Sequence, residues 1–385
     1  MATNVYGNGG NSTAGQNTIV HYYDRAGINA ANRVNVYGQW ADKKSMPTNY
    51  GKTFKISRFE HMYDRSTGDA DFAKKGFMTA RTADEVSAAL TSAALAEGAG
   101  AVNKRSLKKV TYETSLARYG EMIDYTDEVD LFSEDYIQVK YREELGELAN
   151  SRMEDLIQLD MLGTSTVMYS GDAVSMATIG GTNGVEYRVS YDLIRKAVRK
   201  LVRNRAKKNT QIVTGSTKIG TAPIAKAFYA VIGADVKADL EATVRGTVAT
   251  NGMTEFVYIP AHKYAGATSL AEGEVGAMHE VRFIESESAV VYEGKGAALS
   301  VGHNDHLAND GTKINVYPIL FPTEGAFATI GLKGNEKIKF NSKSPSQVEN
   351  ANPYGTTGFF SYNFFYAGLI LRPEAMLKVL VAASI

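Results

Sequence analysis

Residues 133–162, SEDYIQVKYREELGELANSRMEDLIQLDML, constrain the fold more than any other stretch of the chain. Ser133 is suited to cap a helix, Glu134 and Asp135 suit the positive end of its dipole, and Gly163 can stop it. Apolar side chains recur at Ile137, Tyr141, Leu145, Leu148, Ala149, Met153, Leu156 and Leu159, the stripe of a helix packed along one side. Roughly 30 residues rising 1.5 Å each make a rod of about 45 Å, longer than an ordinary small domain. Such a helix is a spine against which the remaining structure must pack.

A Gly, Ser and Thr-rich passage, residues 164–184, leads to a second helix predicted over residues 190–208. Leu193, Ile194, Ala197, Val198, Leu201 and Val202 form its inward face. The basic residues from Arg195 to Lys208 point elsewhere, and after Asp192 no acid occurs until Asp235. Strands are predicted at residues 52–59 and 108–125, where polar and apolar residues alternate: Phe54 and Ile56 share one face, and Val110, Tyr112, Thr114 and Leu116 another. Between them residues 60–107, rich in Asp, Lys, Arg, Ala and Gly, form a long excursion, and a loop of that size in a compact domain is usually functional. Further strands are expected at 227–232, 255–259, 280–285, 313–321, 327–332 and 357–371, and a short helix after 232. Residues 1–38 read as an extended arm that needs a neighbour to order it.

The 385 residues suffice for two or three folding units, and 44% hydrophobic with 22% charged residues is an ordinary globular balance. Forty-two Lys and Arg against forty-two Asp and Glu leave no net charge, which argues against a surface that is wholly a nucleic-acid clamp and favours association. The absence of cysteine removes disulfides, thiolate metal sites and cysteine nucleophiles, and makes cytoplasmic synthesis the simplest expectation. Neither the uncharged first twenty residues nor the uncharged run at 350–371, broken by Asn352, Pro353 and Asn363, is apolar enough for a membrane.

Candidate chemistry is sparse. His303, Asp305 and His306, with Asp310 nearby, form the one histidine and carboxylate cluster, and a metal-dependent enzyme is its sharp reading. A Gly and Asn-rich loop would not hold that geometry unaided, so no metal, cofactor or catalytic residue is assigned. Asp64, Asp69 and Asp71 lack the order of a calcium loop, and no phosphate loop or serine nucleophile motif occurs. The basic helix could lie against phosphates, but no base-reading module surrounds it, and a solvated face or an acidic neighbour is the preferred reading.

The order of these elements carries a resemblance. GKTFKI at 51–56 is similar to the opening strand of an extended loop, and ARYGEMIDYTDE at 117–128 to its return. Residues 190–204 resemble the first helix of an axial domain, and GEVGAMHEVRFIE at 273–285 a glycine, acid, apolar, glycine motif running into a strand. AFATIGL at 326–332, Asn352 with Pro353, and residues 358–374 resemble the closing segments. Together they resemble the major capsid protein of tailed double-stranded DNA bacteriophages, of the coliphage N-four type, with the Hong Kong 97-type capsid fold. Two departures stand out: the excursion is longer than the family pattern, and Tyr362 stands where Trp is expected.

The resemblance implies an α+β shell protomer and no enzyme. Its parts would be an N-terminal arm at 1–45, an extended loop with base strands at 46–125, a peripheral domain with the spine helix at 126–187, an axial domain at 188–335, and a returning peripheral segment at 336–385. It implies self-assembly into pentamers and hexamers of an icosahedral virion shell, put together in the host cytoplasm. Further implied partners are decoration, scaffolding and portal proteins and packaged double-stranded DNA held by weak contacts. An encapsulin-like compartment of the same fold is the alternative.

Overall fold

The computed structural model describes residues 11–12, 15–16, 35–59, 82–95, 97, 107, 109–132, 137–180, 187–213, 221–243, 257–263, 270–299, 306, 308, 311–348 and 352–384. Two short strands, β1 (Asn11–Ser12) and β2 (Gly15–Gln16), pair with each other near the start.

One large mixed sheet runs in the order β10 (Ile259–Pro260), β11 (Glu274–Met278), β12 (Val281–Glu285), β9 (Thr221–Ile232), β13 (Tyr317–Phe321), β17 (Leu377–Val381) and β7 (Val167–Tyr169). A further strand, β8 (Asn209–Val213), pairs with the beginning of β9. Pairings β12 with β9 and β17 with β7 are parallel, the rest antiparallel. Burial on both faces accounts for the unbroken apolar run Ala227 to Ile232 in β9. Phe228, Ala230 and Ile232 pack in one cluster and Tyr229 and Val231 in another, so no position can be polar.

The first of those clusters is roofed by two helices, α4 (Tyr191–Arg203) and α5 (Ala234–Glu241). Ser190 caps α4, its hydroxyl accepting from the Leu193 N–H at 3.2 Å, and Leu193, Ile194, Ala197, Val198 and Leu201 are buried as their spacing predicts. Val202 does not join them and is 55% exposed. The expected short helix after residue 232 is α5.

The second sheet is built on β16 (Thr357–Ile370), which pairs with β6 (Ala117–Thr126) and β15 (Lys339–Lys343) over its first part and with β14 (Phe327–Leu332) over its last residues. Beyond β14 lies β3 (Asp42–Met46), in parallel. The aromatic alternation of β16 is the reason for its length: Phe360, Tyr362, Phe364 and Tyr366 all turn to one side, into the same core as Leu145, Ala149, Ile157 and Met161 of the spine helix α3 (Ile137–Leu162). The Tyr366 hydroxyl donates to Asp160 of α3 at 2.8 Å, and Gly368 leaves the space that this pair occupies. Gly120 of β6 is equally constrained, since a Cβ there would sit 2.5 Å from the Tyr362 carbonyl oxygen.

Three expectations are corrected. The predicted strand 108–125 is two strands, β5 (Lys109–Ser115) and β6, which part at Leu116 and join different sheets. Leu159 of the spine stripe faces outward at 57% exposure, whereas Ile157 and Met161 take the inward positions. The stretch assigned to an arm through residue 45 is in the core from Val36 onward, with Val36, Tyr37, Trp40 and Ala41 all buried. The helix start at residues 133–136 lies outside the described residues.

Candidate functional site

No three His, Asp or Glu side chains of the described residues gather into a metal site; the features that stand out are a buried stretch ahead of β3, a lightly covered strand pair and a charged helix face. The first is the root of the N-terminal arm. Glu154 of α3 is buried and its carboxylate accepts hydrogen bonds from the backbone N–H groups of Tyr37 and Gly38, the second at 3.2 Å. Burial raises the Glu154 pKa, while those backbone donors pull the other way. A short 3-10 turn, Gly38–Trp40, follows, and Trp40 packs on Tyr229 of β9 with ring centroids 4.6 Å apart. The Tyr37 hydroxyl and the Gln158 amide meet at 2.9 Å, and burial raises the tyrosine pKa strongly. The Gln39 amide nitrogen donates to the Glu272 carbonyl at 3.1 Å. Residues 36–41 are therefore fixed jointly by the larger sheet and the spine helix.

The second is the base of the excursion, where β4 (Thr53–Phe59) and β5 form an antiparallel ladder from Thr53 opposite Ser115 to Phe59 opposite Lys109. Both strands alternate exposed with half-covered residues, so neither is enclosed. Arg58 ties this ladder to the body by an ion pair with Glu374 at 2.5 Å, its guanidinium 5.7 Å from the Tyr112 ring centre. Glu374 is buried beside the end of α4, where the Asn204 side chain donates to its backbone carbonyl at 2.8 Å. Within the excursion a helix, α1 (Ala83–Ala93), opens on a capping box made by Thr82 and Glu85. None of its residues is buried, and Leu90 and nearby Leu95 are 66% and 74% exposed. The predicted loop thus contains a helix whose signal, T-A-D-E before an alanine-rich run, was present in the sequence. The Asp64, Asp69 and Asp71 group lies outside the described residues.

The third is the outer face of α4. Arg195, Lys196, Arg199 and Arg203 are exposed, with Asp192 3.3 Å from Arg195. Two of the predicted outward cations turn in: Lys200 donates to the Val167 carbonyl at 2.8 Å, its pKa lowered by burial, and Lys208 pairs with Glu280 at 2.7 Å.

Of the histidine cluster, His303, Asp305 and Asp310 lie outside the described residues. His306 is buried and its backbone bridges to Ser384. Among the described residues no three His, Asp or Glu side chains gather as a metal site would require, and no helix is long and apolar enough to cross a membrane.

Comparison with known proteins gives this architecture its class. The capsid of Ralstonia phage GP4 aligns with a TM-score of 0.54 over 96% of this chain and 99% of that one, at 11% identity. The cyanophage Pam1 capsid aligns equally, with a TM-score of 0.54 over 97% and 98% at 11% identity. The fold is that of phage capsid proteins, the α+β Hong Kong 97-type architecture. In sequence the chain is a homologue of a phage major capsid protein: that of Pseudomonas phage KPP21 is 29% identical over 380 residues, 94% of this chain and 92% of its own. No family model matches the sequence.

Proposed function

We propose that this chain is the major capsid protein of a bacteriophage and acts as a structural protomer without catalysis. The observation that carries the reading is the likeness to the KPP21 major capsid protein along nearly the whole chain, on a fold that phage capsids share. The physical features agree with it. A shell protein works through interface burial repeated over many copies, and this molecule leaves α1 and the flanks of the β4–β5 ladder without cover of their own.

In finer detail, the chain assembles into pentamers and hexamers around double-stranded DNA, in the host cytoplasm, with decoration, scaffolding and portal proteins as further partners. A five-part division into arm, extended loop, two peripheral segments and axial domain belongs to this reading. The order of motifs from 51–56 to 358–374 supports the coliphage N-four type within that fold.

Particles recovered from cells making the chain during phage growth test the reading. Nuclease-resistant duplex DNA inside them is the expected result. Sealed shells holding protein cargo and no DNA would point to an encapsulin-like compartment instead.

A further inference from the structure

The larger sheet carries opposite charge at its two strand ends. At the end where β9 and β12 begin and β13 runs out, α4 crosses the strands: Tyr191 at its start lies edge-on to His279, which precedes β12, and Lys200 further along reaches Val167 at the start of β7. Arg195, Lys196, Arg199 and Arg203 project from this end, with Arg205 and Lys207 just beyond, against Asp192 and Glu280.

The other end, where β9 and β12 finish, carries α5 and the segment after β12. Asp235 and Glu241 are exposed at the two ends of α5, and Glu287 and Glu293 are exposed in the segment that follows β12. Two tyrosines register this field: Asp235 and Glu293 raise the Tyr317 pKa, and Glu241 and Glu285 raise that of Tyr258, in each case adding to burial as the first cause. Lys237 pairs with Glu285 at 2.6 Å, and Lys263, Lys295 and Lys313 are exposed cations among the described residues near this end.

We propose that the basic end of this sheet, α4, docks against the acidic end, α5 with Glu287 and Glu293, of a second copy of the chain. This rests on the shell reading above and adds to it the surfaces and their chemistry. Charge complementarity selects the second copy over nucleic acid. A chain of zero net charge that sorts its two signs to opposite ends of one sheet satisfies both ends by head-to-tail contact, and a repeated head-to-tail contact closes into a ring. Nucleic acid would satisfy only the basic end and leave the acidic end facing like charge.

Charge reversal tests this on the full chain. Reversal of the basic end (K196E with R199E) or of the acidic end (E241K with E287K) is expected to cut the assembled fraction in sedimentation velocity at least tenfold at low salt, with the circular dichroism spectrum unchanged. All four substitutions in one chain restore assembly, and a mixture of the two singly reversed chains restores even-membered rings, because each then offers the other an opposite end and the two alternate. Rescue cannot arise from a folding defect or from lost DNA contacts. Failure of both the four-fold variant and the mixture to assemble would overturn the proposal, as would loss of retained DNA alone on reversing the basic end. Unimpaired assembly of every variant would overturn this contact and leave the shell reading standing, whereas an unaltered chain that never assembles would overturn both.

Discussion

Two places on the body of this molecule, residues 36–41 and the β4–β5 ladder, are fastened by different physics. The arm begins at a root in which Val36, Tyr37, Trp40 and Ala41 are buried and a buried carboxylate, Glu154, fixes the backbone direction. The excursion begins from a ladder covered on alternate residues only, with Arg58 bonded to Glu374 as its strong tie. Apolar burial is distributed over many contacts and hard to release in part; the ladder has less of it, Phe54 and the adjoining Leu116 packing on the Met46, Ile330 and Ala367 cluster, and leans more on the Arg58–Glu374 pair. The difference makes residues 36–41 the more firmly held of the two.

The largest effect that sharpens this contrast is expected at Trp40. Because it is the chain's single tryptophan, its fluorescence reports the arm root alone. Trp40→Phe, read by denaturant unfolding followed in circular dichroism, retains most of the burial, while Trp40→Ala is expected to cost about 3–5 kcal/mol, as for other buried aromatics. A loss below 1 kcal/mol would break the comparison, since the root would then be no better anchored than the ladder.

Glu374→Ala and Arg58→Ala come next. Removing Arg58 leaves a buried carboxylate short of its main partner, for which about 2–3 kcal/mol is expected, below the fully buried range because Arg58 is 25% exposed. The location matters more than the size. Amide exchange should quicken in β4 and β5 and stay unchanged at residues 36–46, and equal quickening in both would remove the distinction.

A smaller effect concerns pH. Burial holds the Glu154 pKa above the ordinary glutamate value of 4.5, so the folded state binds its proton more readily than the unfolded chain does. The contribution of this group is therefore fully present below about pH 4.5 and is lost as pH rises through the raised folded value. Glu154→Gln should flatten that decline, measured as unfolding free energy against pH relative to the unaltered chain. At the bottom of the scale stands Lys55→Ala: its pair with Glu113 at 2.8 Å is exposed on the ladder surface, and no change in Tm is expected.

Much of the framework was legible before any coordinates. The α3 stripe, the inward face of α4, the alternation in β4 and the aromatic run of β16 are strong periodic signals, because in each the burial follows from neighbours within the same element. What escaped depended on distant partners. The root at residues 36–41 has Gly and Gln among its apolar residues, and partners far along the chain, Glu154, Tyr229 and Glu272 among them, bury it. Strand β15, KFNSK, is mostly exposed and exists because β16 offers it an edge. The break at Leu116 was invisible because alternation continues across it while the pairing partner changes from β4 to β16. Of the charged surfaces, the basic run of α4 was plain in the sequence, but its acidic counterpart came from two separate segments that the sheet brings to one end.

The central claim is that this chain functions by building a closed shell. Electron micrographs of the purified full chain, expressed under conditions that support lysate assembly, test it most directly: closed isometric particles with five-fold and six-fold clusters of protomers are the predicted result, and a field of monomers alone would contradict it.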